Sequence, residues 1–381
     1  MRRKIEIFSF FIIILLCMTP YIDFGAFMRP IRREILREGY NIAKPIMRVK
    51  QSKVILLVDG DRGRNYENYF KTALEDIGFG GMYDYWNINV NGTPSAALLS
   101  QYKLVIWECG TSYPYPAERS VLSTYLDNGG SLFIVGQDIG WGIGGSSWYT
   151  TYLKAQYIDD DADVNIVSGK TRTFFEGATY NLSDGDGANN NRWPDVIAPT
   201  GGAYTIMIYV GGTYDGNASA IAYDGSYKLV YMAFPFESIN SRSDRADAMK
   251  RVVMDFFNLA PPSIESPLCG SQVEGEVTIR IRSNFAPNEV TNVSLRIDSG
   301  PWMNITSNYD PIEGIYYYVW NTTTYGDGIH NITVRLYLGG GYFERKTYVL
   351  VDNVDSPILL VDDEPGDSET YYIDALANLG M

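Results

Sequence analysis

The 381-residue chain predicts a doubly wound α/β domain, a mostly parallel sheet with helices on both faces, followed by an all-β sandwich. Three observations carry this. From Lys53, short apolar runs alternate with amphipathic stretches, as in a parallel sheet flanked by helices. After Pro261-Pro262 the texture changes to β-rich runs split by Gly, Asn, Asp and Pro turns, with no helical period among them. Finally, Ile358-Leu-Leu-Val-Asp362 repeats Ile55-Leu-Leu-Val-Asp59, and Glu369, Tyr371, Ala375, Leu376 and Gly380 follow as Glu67, Tyr69, Ala73, Leu74 and Gly78 do. The expected organisation is a signal peptide or membrane anchor at 1–26, a basic linker at 27–52, the α/β domain at 53–260, the sandwich at 261–354, and the start of a second α/β unit at 355–381.

The elements follow in order. Val54 to Val58 is a buried strand, and Tyr66 to Ile77 a helix, with Tyr69, Phe70, Ala73, Leu74 and Ile77 at three- and four-residue steps before Gly78. Tyr83 to Ile88 and Leu104 to Trp107 are the next strands. Pro116 to Leu126 is a helix closed by Asn128-Gly-Gly130, and Ser131 to Val135 the fourth strand. Trp148 to Tyr157 reads as helical, and 159–199 as an elaborated loop with one or two short strands. Thr205 to Val210, Ala218 to Tyr223 and Lys228 to Phe234 are strands, and Ser243 to Leu259 the closing helix. In the second domain the strands are Val277 to Ile281, Val293 to Ile297, Ile315 to Trp320, Ile332 to Leu338 and Thr347 to Val351.

A basic start, Arg2-Arg3-Lys4, and an apolar run from Ile7 to Thr19 have the form of an export leader. An uncleaved anchor is the rival, and would attach the protein to the membrane through this segment. Ten basic and four acidic side chains in the first 51 residues give +6, leaving −20 for the rest of a chain whose total is −14. An acidic body repels phosphate, which argues against nucleic acid as a partner. Sequons at Asn91, Asn181, Asn217, Asn292, Asn304, Asn321 and Asn331 agree with an extracellular or cell-surface location. Of the three cysteines only Cys109 and Cys269 lie beyond the leader, so each domain relies on its apolar core rather than on disulfides.

Four phrases carry a resemblance: Ile55-Leu-Leu-Val-Asp-Gly-Asp61, Tyr102-Lys-Leu-Val-Ile-Trp107, Tyr125-Leu-Asp-Asn-Gly-Gly-Ser-Leu-Phe-Ile-Val-Gly-Gln-Asp138, and Lys228-Leu-Val-Tyr-Met-Ala-Phe-Pro-Phe-Glu237. Through them Lys53 to Leu259 resembles the class I glutamine amidotransferase-like domains, of flavodoxin-like layout, found in secreted archaeal and bacterial modular proteins. The stretch from Pro262 to Asn353 resembles a bacterial Ig-like domain through Trp320-Asn-Thr-Thr-Thr-Tyr-Gly-Asp-Gly-Ile-His330. The first resemblance implies a cysteine on a strand-to-helix elbow with a His-x-Glu partner. Gly136-Gln-Asp-Ile-Gly140 stands where that elbow belongs and has no cysteine, and the only histidine, His330, lies in the second domain as a turn residue. The sequence therefore leans away from an enzyme, toward a catalytically silent domain that binds a cell-envelope polymer, a glycan or other surface proteins, with an Ig-like spacer.

Carboxylate chemistry survives these losses. Asp59, Asp61, Glu108 and Asp138 fall just past the C-terminal ends of predicted strands, the rim where such sheets place ligands. Together they can serve a glycosidic bond as acid and base, in a hydrolase of surface carbohydrate, or hold a divalent cation. Asp59 and Asp138 can equally brace loops and cap helices. The Asp184-Gly-Asp-Gly-Ala-Asn-Asn190 run offers Asp184, Asp186 and Asn189 as hard oxygen ligands, for which calcium is the natural ion, and no other cofactor is implied. Tyr113, Tyr115, Trp141, Trp148 and Tyr149 lie in loops near the same rim, as lid aromatics or as platforms for a sugar ring. A further expectation is that this chain forms the accessory region of a longer secreted peptidase.

Overall fold

The computed structural model describes residues 53–353. The expected leader, the basic linker and the second copy of the repeat lie outside the described residues.

The first half of the lobe alternates strand and helix. It runs through β1 (Lys53–Asp59), α1 (Glu67–Asp76), β2 (Tyr83–Asn87), β3 (Tyr102–Glu108), α2 (Pro116–Asp127), β4 (Ser131–Val135) and the short α3 (Ile139–Ile143). The second half is mostly strand: β5 (Ala155–Asp159), β6 (Ile166–Gly169), β7 (Thr179–Asn181), β8 (Val196–Pro199), β9 (Tyr204–Tyr209), β10 (Ala218–Asp224) and β11 (Lys228–Met232), closed by α4 (Arg242–Lys250) and a π-helical turn, Arg251–Phe256. All eleven strands form one sheet whose main path is β2-β1-β3-β4-β11-β10-β9-β6-β7, with β8 beside β10 and β5 beside β8.

This sheet corrects the expected fold class. Pairing is parallel from β2 to β11 and antiparallel everywhere beyond, so the sheet is mixed and not the mostly parallel, doubly wound one the sequence predicts. Among the described residues of both domains together, strand exceeds helix, 37% against 21%. The reason lies in the connections. A parallel neighbour needs a crossover of about a dozen residues or more, whereas β10 turns directly into β11 through residues 225–227 and β9 into β10 through 210–217. Short links of that kind permit only antiparallel pairing.

The helices bury apolar stripes against opposite faces of the sheet. Phe70, Ala73 and Leu74 of α1 and Met249 of α4 join one core with Ile55, Leu57 and Ile106. Leu122, Tyr125 and Leu126 of α2 join the other with Leu56, Val58 and Trp107. Strands β1, β3 and β4 are buried on both sides, which explains their unbroken apolar runs. The expected helix from Trp148 to Tyr157 is instead a π-helical turn, Tyr149–Leu153, ended by Lys154 at φ 55° before β5 begins.

The C-terminal domain is a β-sandwich, as expected. It has a four-stranded sheet, β12 (Ser263–Ser266), β14 (Glu276–Arg282), β18 (Ile315–Asn321) and β17 (Tyr309–Asp310). Facing it are β13 (Gln272–Val273), β20 (Gly341–Val351), β19 (Gly328–Leu338), β15 (Val290–Ile297) and β16 (Met303–Asn304). Its core of Ile279, Ile281, Leu295, Trp320, Val334 and Leu336 alternates with polar neighbours along each strand. The sandwich packs on the lobe where Phe79 meets Phe343 edge-on at 5.3 Å between ring centres, and Phe343 stacks on Phe285 at 5.4 Å. Gly78 sits there with φ 87°, a left-handed helix end that favours glycine, and the Arg345 guanidinium packs against it.

Candidate functional site: a buried carboxylate cluster

The parallel register sets the site. Asp59 ends β1 directly beside Glu108 at the end of β3, and the Gly60 amide donates to the Glu108 carbonyl at 2.8 Å. A Cβ on Gly60 would lie 2.9 Å from Trp107 Nε1, so only glycine lets the chain turn this close to β3. The turn carries Asp61 back over the strand ends. One ligand atom from each of Asp59, Asp61 and Glu108 then lies within 4.8 Å of the others, and all three residues are buried.

The three carboxyls differ in their partners. Asp59 accepts from the Tyr85 hydroxyl at 2.5 Å, from Asn87 Nδ2 at 2.6 Å and from the Asp61 amide at 3.3 Å. Asp61 accepts from the backbone N–H groups of Gly63, Arg64 and Tyr66 at 2.7, 2.9 and 3.2 Å. Glu108, 0% exposed, has no hydrogen-bond partner on either oxygen.

Their acidities follow. Burial raises Asp59 to about 6, opposed by Tyr85 and helped by the Asp61 charge. Burial also acts on Asp61, but the N–H groups of Arg64, Tyr66 and Gly63 outweigh it and hold that carboxyl below its usual range. Glu108 is pushed well above the carboxylate range, first by burial and then by the charges of Asp61, Glu237, Asp59 and Glu67. Were all three ionised, charges this close would repel by roughly 3.5 kcal/mol per pair at an effective dielectric of about 20. The neighbouring cation Arg62 does not relieve them, because it is clamped on Glu118 at 2.8 and 2.7 Å.

Two residues that the sequence reading missed belong to this rim. Glu237, in the turn after β11, is fully buried, accepts from Asn190 Nδ2 at 2.8 Å and is raised to about 7 by burial. Asp195 is also fully buried and accepts from the Gly140 and Trp141 amides at 2.6 and 2.9 Å, which caps α3 from 55 residues away. That role had been expected of Asp138. Asp138 stands at the N-terminal end of α3 but makes no capping hydrogen bond, and it does not join the Asp59 cluster. Burial and the Asp160 charge raise it to about 6, against the pull of Arg64.

The other expected ligands have protein partners of their own. Asp186 pairs with Arg245 at 2.8 Å, and the Asn189 carbonyl oxygen accepts from the Asp184 amide at 3.4 Å. Cys109 and Cys269 are both free thiols, the first buried and the second exposed. Burial, with the charges of Glu118 and Glu108, pushes the Cys109 thiol well up, which disfavours the thiolate a nucleophile needs. His330 is not a turn residue. It sits in β19, with Nδ1 2.7 Å from an Asp298 oxygen and Nε2 2.7 Å from the Gly326 carbonyl.

The rim aromatics divide. Tyr149 is buried against Tyr231, and Trp148 donates to Ser123 Oγ at 2.8 Å. Trp141 and Tyr115 are exposed, by 61% and 45%; half-buried Tyr113 lies 5.7 Å from the Tyr115 ring and packs over Gly142, and the Arg62 guanidinium lies over the Tyr115 ring at 3.9 Å. Of the sequons, Asn91, Asn304, Asn321 and Asn331 are exposed, whereas Asn181, Asn217 and Asn292 are half-buried.

Residues 263–334 match the family described as a bacterial Ig domain. No curated protein matches the chain. Among solved structures the chain is similar to the endo-beta-1,4-mannanase from Thermotoga petrophila, at 16% identity over 71% of this chain and 52% of that one, with a TM-score of 0.24. It is similar also to the mmIFT52 N-terminal domain, at 13% identity over 53% of this chain and 96% of that one, TM-score 0.38. A third likeness is to the fibronectin(III)-like modules of Clostridium thermocellum CbhA, at 19% identity over 24% and 46%, TM-score 0.20. The chain spans about half the length of the mannanase. At TM-scores this low none of these likenesses bears on activity.

Proposed function

We propose that this chain is a non-catalytic binding module of an exported, surface-borne modular protein, in which the lobe recognises a cell-envelope polymer or glycan and the Ig-like sandwich holds it away from its attachment. The observation that carries the reading is the aromatic rim of Trp141 and Tyr115, both exposed at the ligand rim of the sheet, with half-buried Tyr113 beside Tyr115 and the Arg62 guanidinium over the Tyr115 ring at 3.9 Å. A flat aromatic face exposed at such a rim stacks on the apolar face of a sugar ring. The Ig domain match, the four exposed sequons and the leader-like N-terminus support export and a surface location.

On this reading the amidotransferase-like phrases belong to a lobe without thiol chemistry, since its cysteine is buried and it has no imidazole. The hydrolase reading gains from the closeness of Asp59, Asp61 and Glu108 but loses more from their burial, because a glycosidic bond has to lie between the acid and the base. Binding of the full chain to arrayed glycans and to cell-wall fractions tests the proposal. Trp141→Ala and Tyr115→Ala are expected each to weaken binding tenfold or more. Binding that both variants leave unchanged, or none by the wild type, refutes it.

A further inference from the structure

We propose that Asp59, Asp61 and Glu108 bind one hard divalent cation, of the calcium and magnesium class, as a structural ion that ties the ends of β1 and β3 to the turn between β1 and α1. The inference stands apart from the glycan reading, since none of these residues belongs to the aromatic patch.

Geometry is the first ground. Oxygens on opposite sides of a calcium ion stand about 4.8 Å apart, and around magnesium about 4.1 Å. One oxygen from each of the three carboxylates meets the others within 4.8 Å, so all three fit one coordination sphere.

The second ground is independent. Glu108 is wholly buried, is aimed at the two aspartates, and has neither oxygen hydrogen-bonded. Buried polar atoms are nearly always satisfied, and an orphaned pair calls for a partner. Asp59 and Asp61 each accept three hydrogen bonds of the roughly four a carboxylate can take, which fixes their direction and leaves each a lone pair. Two anchored ligands and one unpartnered ligand make a prearranged oxygen site.

The donor set selects the class of ion. It is all carboxylate, with no histidine in the lobe and the Cys109 thiol buried against Gly136, so softer metals have nothing to prefer. Glu67 adds negative charge around it, while Arg62 stays clamped on Glu118. Because the ligands are closed off, the ion serves the fold and not a substrate.

The test uses the full chain, unfolded in chelator and refolded, then titrated calorimetrically with calcium or magnesium chloride and followed by thermal unfolding at matched ionic strength. The expected result is one ion per chain and a higher Tm for at least one of the two ions. Glu108→Gln, nearly isosteric, is expected to weaken binding at least tenfold and abolish the Tm gain, and Asp59→Asn to do the same. Asp186→Asn is expected to change neither. The proposal is overturned if no saturable heat appears with either ion, if binding survives Glu108→Gln, or if it is lost in Asp186→Asn instead, which would move the ion to the 184–189 loop.

Discussion

Replacing Asp195 tests how the aromatic rim is held. Its two oxygens take the Gly140 and Trp141 amides, the opening donors of α3, and the residue is fully buried. Asp195→Ala leaves two buried N–H groups without acceptors. At about 1–3 kcal/mol for each orphaned donor the loss is about 2–6 kcal/mol. Part is recovered, because the carboxylate is itself strained by burial and by the Asp138 and Asp160 charges, which push its acidity down against the two N–H groups. The lower half of that range, about 2–4 kcal/mol, is therefore expected. Asp195→Asn keeps one acceptor but turns an NH2 group toward the other donor, so it is expected to rescue little. The backbone of the loop should stay in place, because the Asp195 amide reaches the Gln137 and Ala233 carbonyls and its own carbonyl accepts from Tyr209. Hydrogen exchange read at the Gly140 and Trp141 amides is the direct assay, since it needs no assumption that the two domains unfold together. Both amides are expected to exchange at least tenfold faster in Asp195→Ala, with weaker glycan binding through Trp141. Unchanged exchange, with stability within about 0.5 kcal/mol of wild type as for an ordinary surface change, would refute the capping argument.

Two further predictions concern the domain contact and the buried acid. Phe343 is 2% exposed between Phe79 and Phe285, so Phe343→Ala is expected to cost about 3–5 kcal/mol and to separate the lobe and sandwich transitions in calorimetry. A single unshifted transition would contradict this. Glu237 rises from 4.5 to about 7, mainly through burial. Its neutral form is thus favoured in the folded state, and its contribution is complete below the unfolded value and lost as pH rises through about 7, by about 3 kcal/mol in all. Glu237→Gln, followed by urea denaturation in chelator between about pH 5 and about pH 8, is expected to flatten that decline. An identical slope in variant and wild type would remove Glu237 from the account.

The parallel half of the lobe was legible because burial on both faces writes itself as unbroken apolar runs; Ser131 to Val135 is strand from end to end, as read. The antiparallel half was not, and the fold class went with it. Strands of three or four residues such as β6, β7 and β8 bury one or two apolar side chains each, Val167, Tyr180 and Val196 among them, too few to show a period. Aromatic spacing at Trp148, Tyr149 and Tyr152 imitated an ordinary helix, whose end at Lys154 depends on a left-handed backbone that lysine does not advertise.

The site divides in the same way, between what one strand end discloses and what only the assembled sheet brings together. Asp59 and Glu108 could be named because each closes an apolar run, and parallel pairing puts such residues side by side. The same rim reaches Glu237, which lies beyond the end of Lys228 to Met232 whereas Glu108 is the last residue of β3, and β11 is the next parallel neighbour of β4. It was overlooked because four residues, one of them Pro235, separate it from the strand, and in sequence that distance looks like a loop. No local signal could have shown Asp195, whose partners lie 55 residues away. Nor could it have separated Asp138 from the cluster, since Asp138 lies just past the end of β4 as Asp61 lies just past the end of β1. What distinguishes them is the turn: the Gly60 amide donates to the Glu108 carbonyl at 2.8 Å, which sets Asp61 beside the strand ends, whereas the Gln137 amide donates to the Gly110 carbonyl at 3.1 Å, two residues beyond β3, and its side-chain Nε2 to the Asn190 carbonyl at 2.9 Å. Asp59 and Asp61 gather with Glu108 because Gly60 turns the chain against the end of β3. Substituting Gly60 should accordingly disperse the cluster even with every carboxylate retained.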